Sequence, residues 1–332
     1  MDPLSQGIVG AVAAQQPAKY KHFIIATLLG FFSGLAPDLD VLIKSTHDPL
    51  FSLEFHRQFT HSIFFIPIGG LICASFFYYL FLKNTKISFK ETYLYCTLGY
   101  ATHGFLDSCT SYGTQLFWPL TNDRIAWNTI SIIDPLFTLP LVILIILAVI
   151  KKNKVISYYA LMWVFLYHTF GFIQKNRAED AALALALSRG HVPLEILAKP
   201  SFGNIMLWKT IYTTKSQYHV DAIKPFLNTH VIQGEKIDKL NIKESFPWLN
   251  ANSQQAKDIE RFRWFSNGYV SLSPHFPNRI IDVRYSMFPN DINALWGIEL
   301  NPEASSKDHV IRVFNRRNHI DIYIKLWSMI IK

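Results

Sequence analysis

The run "IFFIPIGGLICASFFYYLFL", Ile63–Leu82, contains no charged side chain. A helix needs about 20 such residues to cross the ~30 Å hydrocarbon core of a bilayer. Ile132–Ile150 and Val155–Ile173 read as two further spans. Thr92–Leu106 is a shorter fourth candidate carrying His103, and Leu4–Ala14 and His22–Leu35 read as two more helices near the start. The first of these is too short to cross alone and is expected to pack as a half-helix among its neighbours. Half of the 332 residues are apolar and only 17% are charged, against about 25% charged in soluble domains. The chain therefore reads as a membrane protein.

Its formal charge of +8 does not point to nucleic acid. The lysines form no single stripe and are not interleaved with stacking aromatics. They cluster instead in three short loops on one side of the spans, Gln15–Lys21, Lys83–Lys90 and Lys151–Lys154, which carry no acidic residue. By the positive-inside rule that side is cytoplasmic. Pro37–His61, Asp107–Ser131 and everything after Ile173 then fall outside. The three cysteines, Cys73, Cys96 and Cys109, lack CxxC spacing, which argues against a disulfide framework or a thiolate zinc site.

Beyond Gln174 the pattern changes. "AEDAALALALSRG" reads as an alanine-rich helix ending at Gly190. It is followed by β-branched and aromatic runs such as "IMLWKTIYTT", "YHVDAI", "GYVSLS", "RIIDVRYSMF", "LWGIEL" and "HVIRVFN", separated by Pro, Gly and Asn. These predict an antiparallel sheet, with the final "YIKLWSMIIK" read as a last strand and an interfacial patch as the alternative. The fold class expected is an α-helical membrane domain of about five to six helices, residues 1–175, followed by an α+β, mainly antiparallel-sheet, extramembrane domain, residues 176–332.

The outward segments hold an unusual set of polar residues. "APDLD" supplies Asp38 and Asp40, "HRQFTHS" supplies His56 and His61, and "THGFLDS" supplies His103 and Asp107 four positions apart on one helical face. Imidazole and carboxylate at a membrane edge are costly to desolvate unless something is bound there. Together they suit one or two divalent ions, zinc first and manganese or iron next, with room for a water. Asp40 doubles as a candidate general base. Arg57 is a candidate stabiliser of charge on a transferred group, or it pairs with Glu54 or a lipid headgroup. Asp134, at the start of a span, is expected to cap it.

These motifs resemble those of the YdjM-like membrane-bound, metal-dependent hydrolases of bacteria. The likeness rests on "MDPLSQGIVGA", "APDLDVL", "HRQFTHSI", "THGFLDSCTSYGTQLFWPL" and "DRIAWNTISIIDPLFTLPL". "NRAEDA", "FGNIMLWKTIY" and "VRYS" resemble longer members with an added C-terminal domain. Many members carry histidine in the opening motif where this chain has Gln6. The resemblance implies an integral inner-membrane protein acting as a hydrolase. With a site at headgroup depth, the expected substrate is a lipid or lipid-linked ester, a phosphoester first. The opposing expectation is a non-catalytic metal-binding scaffold or sensor whose C-terminal domain binds a partner.

Overall fold

The computed structural model describes residues 1–226, 228–315 and 320–331. They divide into two compact units. The first comprises residues 1–43, 55–172 and 202–204, and the second residues 44–54, 173–201 and 205–332.

In chain order the helices of the first half are α1 (Pro3–Gln15), α2 (Phe23–Leu35), the short α3 (Phe51–Phe55), α4 (Ile66–Phe77), α5 (Phe89–Ser108), α6 (Pro135–Lys151) and α7 (Lys154–Ser188). Local chemistry sets several of their starts. Asp2 accepts from Ser5 N at 3.0 Å ahead of Pro3. Ser88 and Glu91 form a reciprocal capping box on α5. Asp134 caps α6 ahead of Pro135, as expected, and also accepts from Tyr167 Oη at 2.8 Å.

α1 is buried along most of its length, which suits a half-helix enclosed by its neighbours. It packs against α2 and α5. The crossing is close enough that a Cβ on Gly30 would meet Gly10 O at 2.4 Å, and one on Gly99 would meet Gly30 O at the same distance. Ala14, Phe23, Ala26, Ala74, Tyr95 and Tyr100 fill the core beside this crossing. The outward faces are apolar: on α4, Ile68, Leu71, Ile72 and Phe76 are exposed.

Among the described residues three helical segments are long and apolar enough to cross a membrane: Tyr20–Leu42, Ile63–Leu82 and Lys154–Ser188. The expected span at Ile132–Ile150 is a helix of 17 residues, Pro135–Lys151, because Asp134 starts it late. At about 1.5 Å per residue it covers about 26 Å. The third expected span and the alanine-rich stretch are one 35-residue helix, not two. No Pro falls between Val155 and Ser188 to break it, and its one glycine, Gly171, marks a close approach to Thr129 O, which a Cβ there would meet at 2.1 Å. Gly190, at φ +75°, follows its end.

In the second unit β1 (Glu195–Pro200), β2 (Trp208–Thr213), β3 (Gln217–Pro225), β4 (Thr229–Ile232) and β5 (Lys236–Asp238) form one antiparallel sheet. Its order is β1-β2-β3-β4, with β5 also pairing β3. After α8 (Ile242–Ser245) and α9 (Gln254–Phe265), β6 (Val270–Leu272), β7 (Arg279–Asp282), β8 (Trp296–Glu299) and β9 (Ile311–Phe314) form a second, in sequential order. Ile211, Tyr218, Val220, Tyr269 and Val283 pack as one core. The terminal "YIKLW" is not a strand: it lies in α10 (Ile320–Ile331), whose Leu326 packs with Leu207 and Ala222. Alternation and helical periodicity compete over so short a run, and here packing of a single helical face decides.

Candidate metal centre

The polypeptide brings its polar motifs together from three places. Asp38 and Asp40 lie on a 3-10 turn, Ala36–Leu42, that continues α2. His61 ends a second 3-10 turn, Phe59–His61, just before α4. His103 and Asp107 project from one face of α5. The turn bearing His61 lies so close to α5 that a Cβ on Gly104 would meet His61 O at 2.1 Å. Only glycine fits there, and it adjoins His103 in sequence.

Asp38, His61, His103 and Asp107 each offer a ligand atom within 4.8 Å of all the others. His61 Nε2 and His103 Nε2 are 3.0 Å apart. Asp38 Oδ1 is 3.4 Å from the first and 3.3 Å from the second. Asp107 Oδ2 is 3.4 Å and 3.8 Å from them. A tetrahedral ion with ligands at about 2.0–2.1 Å requires donor separations of about 3.3–3.4 Å, and these five separations, from 3.0 to 3.8 Å, bracket that value.

The tautomers point the same way. His103 Nδ1 is 2.6 Å from Gly34 O, which can only accept, so that nitrogen carries the proton. His61 Nδ1 lies 2.9 Å from Thr60 Oγ1 and 3.4 Å from Asp40 Oδ2. With Nδ1 protonated on both rings, two Nε2 lone pairs face each other at 3.0 Å, an arrangement that needs a proton or a cation between them. Asp107 Oδ2 is also buried without an aligned hydrogen-bond donor. Buried acceptors of this kind require an explanation. The set, two imidazole and two carboxylate donors, could hold a metal ion.

The shell around these donors is ordered. Asp107 Oδ1 accepts from Gln6 Nε2 at 2.7 Å and from the α-amino group of Met1, which leaves Oδ2 directed at the histidines. Asp40 Oδ1 meets His56 Nδ1 at 2.8 Å, while its Oδ2 accepts from Arg57 N at 3.0 Å and Thr60 Oγ1 at 2.9 Å. Carboxylates that hold the far nitrogen of a ligand histidine fix its ring and raise its basicity. Asp38, Asp40 and His56 form a second group of closely spaced donors sharing Asp38 with the first.

All six expected ligand residues thus fall into two adjoining groups. Arg57 lies beside them but turns inward. Its Nε is 2.9 Å from Asp107 Oδ2, though not aligned to donate, and its Nη1 donates to Thr110 at 3.2 Å. Its guanidinium stacks on Tyr112 at 4.8 Å. Its backbone adopts φ +66°, a strained state for a residue with a Cβ. Glu54, the alternative partner, pairs with Arg261. Sequence reasoning missed the Met1 amine, Thr60 and Thr110. Thr60 was within reach, since it lies inside "HRQFTHS".

A bundle of apolar helices enclosing a His/Asp cluster defines a membrane protein with a possible metal site. The chain belongs to the YdjM inner membrane protein family, whose profile matches residues 1–178. It is also 24% identical over 280 residues to YfhP of Bacillus subtilis (strain 168), described as an uncharacterized protein. That match covers 82% of this chain and 80% of YfhP. No solved structure matches the chain.

Proposed function

We propose that this protein is a membrane-bound, metal-dependent hydrolase that cleaves a lipid or lipid-linked ester, with a phosphoester the best candidate. The observation that carries the reading is the tetrahedral spacing of Asp38, His61, His103 and Asp107 donors. A divalent ion held there would supply Lewis acidity and lower the pKa of water toward neutrality. Asp38, with its side chain 28% exposed, and His56, 22% exposed, form the accessible edge where an ester would enter. His56 Nδ1 held by Asp40 leaves Nε2 to take the proton, so the Asp40–His56 pair serves as general base. Arg57 and Gln6 hold Asp107 in place. On this reading Asp40 orients His56 and His61 rather than acting alone.

One observation favours the alternative of a metal-binding scaffold or sensor. His61, His103 and Asp107 are almost fully buried, and a site closed by four protein donors is the pattern of structural metals. Incubating the metal-loaded protein with a bacterial lipid extract and following release by mass spectrometry separates the two. Hydrolysis lost in His56→Ala but retained metal supports the enzyme; retained metal with no product from any lipid class supports the scaffold.

A further inference from the structure

The chain that joins the Asp38/Asp40 turn to His56 runs through the second unit. Its Leu50 and Leu53 are buried, and within that unit its two acids are gripped by one arginine of α9. Arg261 Nε donates to Glu54 Oε1 at 2.6 Å and Nη2 to Glu54 Oε2 at 3.0 Å. Nη1 and Nη2 donate to the two oxygens of Asp48 at 3.1 and 2.7 Å. Nη1 also reaches Asp258 Oδ1 at 2.9 Å. Asp258 is fully buried and accepts from Val310 N at 3.2 Å and His309 Nδ1 at 2.8 Å, which ties the clamp into the approach to β9. Arg312 Nη1 adds a bond to Ser52 Oγ at 3.1 Å. A bidentate fork on two carboxylates at once is a geometry that lysine cannot supply.

Glu54 precedes His56 by two residues, which span at most about 7 Å of chain. Fixing Glu54 therefore restricts where His56, and the strained Arg57 after it, can be. We propose that Arg261 is a positioning residue for the candidate metal centre: it lets the C-terminal unit order the segment that carries His56, Arg57 and His61. The metal part of this inference rests on the metal reading above; the ordering part does not.

The test compares full-length protein in detergent with Arg261→Met, Arg261→Lys and, as control, Arg279→Met, which removes the Arg279–Glu299 pair elsewhere in the same unit. In metal-free protein, Arg261→Met should raise amide hydrogen exchange across residues 55–62 at least tenfold, Arg261→Lys should rescue only part, and Arg279→Met should leave that segment unchanged. With cobalt(II) as probe, Arg261→Met should weaken binding about tenfold, at the lower end of effects seen for groups supporting a ligand, and alter the visible spectrum. Unchanged exchange at 55–62 overturns the proposal, as does raised exchange in Arg279→Met to the same extent. Raised exchange with unaltered cobalt affinity and spectrum overturns the positioning role. If the parent protein takes up no cobalt, the metal reading fails while the exchange result still decides the clamp.

Discussion

Replacing His103 with alanine removes one of four donors from the buried group and leaves His56 untouched. Structural zinc sites bind with about 10–16 kcal/mol, so one ligand in four is worth about 2.5–4 kcal/mol. At about 1.4 kcal/mol per tenfold, the dissociation constant should rise by about two to three orders of magnitude. The substitution also strips Gly34 O of its 2.6 Å partner, at a cost of about 1–3 kcal/mol in stability, so insertion and melting must be followed alongside. His56→Ala, by contrast, removes a half-buried group from the second cluster and should cost about tenfold, the scale of a supporting residue. Competition with a chromophoric chelator, combined with elemental analysis of the dialysed protein, measures both constants. If His103→Ala binds as tightly as the parent protein, or if His56→Ala is the more damaging, the tetrahedral assignment is wrong.

Further outcomes follow from particular contacts. Gly104→Ala should abolish metal retention or folding, because its Cβ would meet His61 O at 2.1 Å; normal metal content in this variant would contradict the packing of His61 on α5. If, as the lysine bias predicts, the C-terminal unit lies outside, Asn301→Cys should react with a membrane-impermeant maleimide in intact spheroplasts, and labelling only after lysis would reverse the topology. In the C-terminal unit burial pushes the Lys209 amine down to about 7 and holds Lys199, its partner across β1 and β2, well below the ordinary lysine value. Between pH 7 and about 10 the unfolded chain carries protons that the folded sheet does not, so stability rises with pH there, by up to about 1.4 kcal/mol per unit for each lysine. Melting of the sheet should shift upward from pH 7 to 9, and less so in Lys209→Met; a shift of opposite sign refutes it.

Much of this structure is legible in the sequence because it rests on short-range chemistry. The span at Ile63–Leu82, the Asp134 cap and the HxxxD face of α5 are set by residues within one or two turns. The β-branched runs at Trp208–Thr213 and Gln217–Pro225 were equally readable as strands. What escaped depends on contacts between distant residues. Nothing local in "YIKLW" says that Leu326 will find Leu207 and Ala222 and so favour a helix. Nothing near Arg57 announces that Asp107, rather than Glu54, is its neighbour, because Glu54 is claimed by an arginine more than two hundred residues away. The roles within the site were also beyond pattern: Asp40 and Asp38 look alike in "APDLD", and only the positions of Thr60, Arg57 N and two imidazoles distinguish them.

The central claim is that two imidazoles and two carboxylates converge on one ion. X-ray absorption at the metal edge, on protein purified in detergent with its native metal, reads that sphere directly. The account predicts a first shell of about four N/O donors near 2.0–2.1 Å, outer-shell scattering of two histidine rings, and loss of one ring in His103→Ala. A sulfur shell, a hexahydrate-like oxygen shell without imidazole, or no bound metal at all would contradict it.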